Sequence, residues 1–132
     1  MSGKTPAEKL GVKPGMTLAV VGAPHALSPA LPSTAAPAEA DTLLIFVPDK
    51  AAAAGAIAMG LDAFAPGKRL WFAYPKKSGA HASDISRDTG WDALAAADFL
   101  AVTQIALDAD WSALRFRPRG EIAKLTRASE QG

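Results

Sequence analysis

The side chains with the most chemical potential lie between Tyr74 and Trp91. Tyr74 ends an apolar run, Leu70-Trp71-Phe72-Ala73-Tyr74, and Pro75-Lys76-Lys77-Ser78-Gly79 follows. Two adjacent lysines can clamp an anion, and the backbone N–H groups of a Ser78-Gly79 turn can assist them. Asp84, Arg87 and Asp88 come next. A carboxylate close to such a clamp is material for acid/base work on a small anionic substrate. The plainer reading of the same residues is a solvated lysine pair, helix-capping aspartates and surface ion pairs of small value. A second cluster, Gly22-Ala23-Pro24-His25, closes the run Leu18-Ala19-Val20-Val21, and there Gly22 and His25 are the candidate cofactor contacts.

Other chemistries find no support in the residues. The chain has no cysteine, which removes disulfides, thiolate metal sites and thiol catalysis, and fits a reducing cytoplasm. His25 and His81 are the only histidines and lack metal-site spacing, so no metal is expected. Gly3-Lys4-Thr5 resembles the end of a phosphate-binding loop but lacks the preceding strand and glycine. No Gly-x-Ser-x-Gly elbow occurs. Gly55 and Gly60 lie in a helical stretch and read as close-packing positions.

The elements that must position these residues follow from the apolar pattern. Thr5–Leu10 suits a short helix ended by Gly11. Thr17–Gly22 with its run Leu18–Val21, Thr42–Val47 with its run Leu43–Val47, and Leu70–Tyr74 are apolar without alternation, as in parallel strands covered on both faces. Between the second and third, Asp49 is an N-cap, Ile57, Leu61 and Phe64 form one stripe, and Pro66-Gly67 closes the helix. That makes a βαβ unit. Thr89 and Asp92 have capping-box spacing for a further helix, with Trp91, Leu94 and Ala95 facing one way. Leu100–Leu107 and Ser112–Arg117 are joined too tightly for a crossover and must pair antiparallel. The alternation of Leu114 and Phe116 with Arg115 and Arg117 gives the last strand one wet or polar face. Trp111 reads as an apolar plug on this hairpin, and Trp71 and Phe72 as core. Residues 121–127 suit a terminal helix, and 128–132 a frayed tail. Pro24–Asp41 is poor in large side chains; a helix over 25–31 and a short strand or plain loop over 32–40 are the options.

The 132 residues suit a single domain over 1–132. With 49% hydrophobic and 20% charged residues, the composition is globular. A net charge of +1 creates no global field toward nucleic acid or an anionic membrane. No apolar stretch follows the charge of Met1–Pro6, so no signal peptide is expected, and the Ala-rich stretch 51–59 is too short to span a bilayer.

Two resemblances add to this. Ala65-Pro66-Gly67-Lys68-Arg69-Leu70-Trp71-Phe72-Ala73 resembles the helix-to-strand passage of class I S-adenosylmethionine-dependent methyltransferases, and the terminal antiparallel pair is similar to theirs. The likeness implies a small Rossmann-like α/β three-layer sandwich, with a mostly parallel sheet of five or six strands ending in an antiparallel hairpin. It also implies a glycine-rich turn after the first strand and a ribose-binding carboxylate at the end of the next. Here the turn holds one glycine, Gly22, and Glu39 and Asp41 are the only acids nearby. About two strands with their helices are missing before Thr42. Leu10-Gly11-Val12-Lys13-Pro14-Gly15, Tyr74–Ser78, Asp84–Asp88 and Trp111–Phe116 resemble an uncharacterised family of small bacterial domains, a likeness that implies a bacterial source and no activity.

The expected function is a non-catalytic binding or interaction module on a reduced Rossmann-like scaffold, with no cofactor. Its expected partners are a small anionic ligand or a protein, with no nucleic acid and no membrane, as monomer or homodimer. The alternatives are an enzyme acting on a small anionic substrate and a degenerate S-adenosylmethionine or nucleotide binder.

Overall fold

The apolar runs assemble into the centre of one five-stranded sheet. A computed structural model describes residues 6–12, 15–23, 31, 33–36, 38–65, 68–76, 84–85, 90–108 and 110–119. The Gly3-Lys4-Thr5 start, the helix over 25–31 short of Leu31, the Pro66-Gly67 stop, the terminal helix and the tail lie outside them. In chain order the elements are α1 (Pro6–Lys9), β1 (Leu18–Val21), β2 (Thr42–Phe46), α2 (Lys50–Ala63), β3 (Arg69–Pro75), α3 (Asp92–Ala96), β4 (Phe99–Ala106) and β5 (Trp111–Pro118).

The sheet order is β1-β2-β3-β5-β4. Strands β1, β2 and β3 are parallel, with Val21 beside Ile45 and Ile45 beside Phe72. Strand β5 inserts antiparallel between β3 and β4, pairing Phe72 with Leu114 and Ile105 with Ala113. Strand β4 therefore runs the same way as β1, β2 and β3, and the sheet is mostly parallel.

Period-2 alternation sends β2 and β3 side chains to two apolar layers. Leu43, Ile45, Leu70, Phe72 and Tyr74 meet Ile57 of α2 and Trp91 and Leu94 around α3. Leu44, Phe46, Trp71 and Ala73 meet Leu10, Leu31, Leu107 and Trp111 on the opposite face. Phe72 is fully buried and packs beside Trp91 and Phe116. Each such side chain contributes about 1.5–3 kcal/mol of hydrophobic burial. Trp111 is the plug its position predicts, edge-on to Phe46 with ring centroids 5.1 Å apart.

Helix α2 lies tight on the sheet because position 60 has no side chain. A Cβ at Gly60 would sit 2.8 Å from Phe72 Cζ and 3.1 Å from Leu70 Cδ1. Gly55 differs from the close-packing expectation: it is exposed, and a Cβ there would meet nothing within 4 Å.

Two further expectations are corrected and a third is narrowed. Helix α3 opens at Asp92 with Trp91 at the N-cap position and no side-chain cap, so Asp92 is its first residue and not the fourth position of a capping box; Thr89 lies outside the described residues. Gly90, at φ +108°, cannot be a helical residue, and its missing Cβ leaves room for Ile85 Cγ1, which would lie 2.6 Å away. Ala95 is exposed while Trp91 and Leu94 are buried. Finally, Arg115 and Arg117 are half-buried, and Arg115 Nε is sealed from water, so of the two expectations for that face of β5, wet or polar, the structure gives a polar face that is partly covered.

The two sheet edges differ. Beside β1, Thr34 N and Ala35 N donate to Leu18 O at 2.7 and 3.3 Å, Thr34 Oγ1 accepts from Leu18 N at 3.0 Å, and Ser33 Oγ accepts from Val20 N at 3.1 Å. Among the described residues between β1 and β2 there is no strand; residues 33–35 seal the edge instead. Strand β4 at the other edge is exposed over Ala101–Gln104. No helix among the described residues is long and apolar enough to cross a membrane.

Candidate functional site

Parallel strands end together, and here that common edge is set by Gly22 after β1, Val47-Pro48-Asp49 after β2 and Lys76 after β3. Val47 N donates to Ala73 O at 2.8 Å, which keeps the second and third ends in step. In open α/β sheets ligands bind outside this edge.

Gly22 is exposed and turns the chain at φ +78°. A Cβ there would make only ordinary contact with Phe46, at 3.7 Å, so the glycine serves the turn and leaves no vacant cradle. Asp49, in extended conformation, caps α2: its Oδ1 accepts from Ala52 N at 2.9 Å. Asp84 reaches the same helix end, where its Oδ1 accepts from Lys50 N at 2.8 Å. Asp84 is exposed, and its neighbour Ile85, 1% exposed, packs into the apolar layer beneath. Two carboxylates thus satisfy separate orphan amides of α2, and each also meets the positive end of the helix dipole.

The phenol of Tyr74 does not reach the edge. The side chain is 4% exposed, its ring stands edge-on to Trp91, and its OH accepts from Gln104 Nε2 at 2.7 Å. Lys76 does lie at the edge. It is half-buried, and its backbone N donates to Asp110 O at 2.8 Å, tying the end of β3 to the start of β5. Lys77, Ser78, Arg87, Asp88 and His25 lie outside the described residues. Among the described candidates, Lys76 and Gly22 lie at the strand edge, Tyr74 OH meets Gln104, and Asp84 meets the start of α2.

A cavity of about 360 Å³ adjoins Asp84's helix end. Lys50, Ala53, Ala54 and Ile57 of α2 line it together with Gly90, Asp92 and Ala93. Its volume falls in the range of small-ligand sites. Sequence reading missed it, because the lining comes from two helices whose approach no local pattern encodes. Gln104 was missed for the same reason. Ser33 and Thr34 carried a weak signal: hydroxyl residues in a loop often bond backbone. Among the described residues no group of three or more potential ligands could hold a metal ion.

The carboxylate that a methyltransferase likeness requires is misplaced for that role. Asp41 Oδ2 accepts from Thr17 N at 3.1 Å and Thr17 Oγ1 at 3.2 Å, just before β1 and β2 begin. It stands at the amino-terminal edge of the sheet, opposite Gly22. Glu39 is exposed in the same approach to β2.

Neither a protein-family model nor a curated protein matches the chain. Solved structures do. The B. subtilis tRNA methyltransferase TrmK matches with a TM-score of 0.53 at 13% identity, over 89% of this chain and 67% of that one. A protein of the NADB-Rossmann superfamily from Streptococcus agalactiae matches with a TM-score of 0.52 at 16% identity, over 89% and 69%. At such identities the likeness concerns the fold, and this chain has a Rossmann-like α/β fold similar to that of a methyltransferase.

Proposed function

We propose that this protein is a non-catalytic binding module on a reduced Rossmann-like scaffold, taking a small anionic ligand at the strand edge beside Lys76, in the reducing cytoplasm of a bacterium. The observation that carries the reading is the engagement of Asp84 with Lys50 N. The carboxylate nearest the lysine loop in sequence has a structural post, and Tyr74 likewise holds Gln104. With these two groups engaged in the fold, we read Lys76 at the edge as a binding element. The sealed outer edge of β1 supports the same reading, since it occupies the place where the ribose-binding strand of a methyltransferase would pair. The likeness to an uncharacterised family of small bacterial domains carries no activity over.

A second reading, a residual S-adenosylmethionine or nucleotide binder, draws on the fold likeness and the positive φ of Gly22. One experiment separates the two. Thermal melting is followed with S-adenosylmethionine, nucleotides, sugar phosphates and small carboxylates, for the wild type and for Lys76→Ala and Lys50→Ala. A rise in Tm with phosphates or carboxylates that is lost in Lys76→Ala supports the anion module. A rise confined to S-adenosylmethionine or nucleotides supports the second reading, and turnover of any of these compounds defeats the non-catalytic claim.

A further inference from the structure

The open edge of the sheet points to a partner. Strand β4, Phe99-Leu100-Ala101-Val102-Thr103-Gln104-Ile105-Ala106, has no charged residue over its whole length. Val102, 40% exposed, is one of two large hydrophobic residues exposed among the described residues. Natural sheets commonly guard such an edge with charges, prolines or a covering segment. Ser33–Ala35 covers the β1 edge in this way. Among the described residues, the guards on β4 are a register irregularity between Ala101 and Thr103 and the exposed Lys9, whose Nζ donates to Ala106 O at 3.0 Å.

The outward backbone groups can be assigned. Arg119 N donates to Asp98 O at 2.7 Å and Leu107 N to Trp111 O at 2.9 Å, so Asp98 and Leu107 face β5. Antiparallel pairs alternate in direction. With one extra residue at Val102, the N–H and C=O groups of Phe99, Ala101, Gln104 and Ala106 face away from β5.

We propose that this edge pairs with β4 of a second copy about a two-fold axis, joining two five-stranded sheets into one. The pairing is antiparallel by symmetry, as an isologous interface requires. The register that uses outward groups on both sides of the irregularity sets Ala101 against the partner's Gln104 and Phe99 against the partner's Ala106. It brings Val102 beside the axis, where its exposed side chain meets the partner's Thr103. Charge favours this partner. The strands bring no like charges together, and their ends are complementary. Asp98, paired to Arg119 at 2.8 Å, marks the amino end of β4, and Lys9 marks the carboxyl end. Antiparallel pairing moves Asp98 toward the partner's Lys9, which exchanges Ala106 O for a carboxylate. The proposal stands apart from the ligand reading above and survives its failure.

The test uses the full chain in sedimentation equilibrium and oxidative cross-linking. The wild type is expected to reach twice the monomer mass as its concentration rises, and Val102→Lys to stay monomeric with an unchanged circular dichroism spectrum. The chain has no cysteine, so Val102→Cys reports on one position alone. It is expected to form a disulfide-linked dimer at protein concentrations where Met59→Cys, on the exposed face of α2, does not. A wild type that remains monomeric up to millimolar concentration overturns the proposal. So does a wild-type dimer that persists in Val102→Lys, or cross-linking that is equal at the two positions. If Val102→Lys fails to fold, the cysteine pair alone decides.

Discussion

Asp84 Oδ1 lies 2.8 Å from the backbone N of Lys50, across 34 positions of sequence, and accepts its hydrogen bond. The first turn of α2 is therefore capped from within by Asp49 and from outside by Asp84. This second cap ties the segment after β3 to the helix before it. A carboxylate that follows two lysines in sequence accepts from a helix amide instead.

Removing either cap tests that assignment. Asp84→Ala and Asp49→Ala are each expected to destabilise the fold by about 1 kcal/mol, the usual worth of a helix N-cap. The measurement is urea unfolding. Any ligand found by thermal melting should keep its affinity in Asp84→Ala once the lower stability is allowed for. A large loss of affinity would return Asp84 to the site.

The two glycines of α2 should respond in opposite directions. Gly60→Ala forces a methyl group to 2.8 Å from Phe72 Cζ and should destabilise by about 1–3 kcal/mol, the range for overpacking a core. Gly55→Ala meets nothing within 4 Å and should stabilise by about 0.5–1 kcal/mol through helix propensity. Thermal unfolding of the two variants beside the wild type decides both signs.

Thr42 offers a stabilising change. Its side chain is fully buried, and Oγ1 has no hydrogen-bond partner. Thr42→Val removes that hydroxyl and should raise stability by about 1 kcal/mol, since an unsatisfied buried polar group costs on the order of 1–3 kcal/mol. A lower denaturation midpoint in this variant would mean that the hydroxyl is satisfied in solution.

The seal on β1 is accessible to hydrogen exchange. Thr34→Val deletes the oxygen that accepts from Leu18 N and should cost about 0.5–1.5 kcal/mol. Faster exchange is expected at the Leu18 amide, with the Val20 amide, held by Ser33 Oγ, less affected. Equal protection in variant and wild type would show that the hydroxyl contributes nothing to the edge.

Tyr74→Phe removes the acceptor of the Gln104 Nε2 hydrogen bond. A loss of about 1 kcal/mol in stability is expected, in line with a single buried hydrogen bond. An effect on ligand affinity without a loss of stability would place the phenol in the binding site instead.

The local pattern of the sequence was enough for the strands β1, β2 and β3, the helix opened by Asp49, the antiparallel final pair and the α/β class. Apolar runs, a capping aspartate and a loop too short for a crossover are properties of neighbouring residues, and backbone geometry converts them directly into elements. Tertiary structure alone decided that β5 inserts between β3 and β4, that Ser33 and Thr34 close the β1 edge, that Gln104 holds Tyr74, and that Asp84 caps α2. Each of these joins groups that local spacing does not bring together, and a carboxylate or hydroxyl bonds whichever amide the folded chain sets before it. The candidate site was legible as a location, the carboxyl edge of the parallel strands. The role of each side chain there depended on which backbone donors the packing of α2 and α3 left unsatisfied.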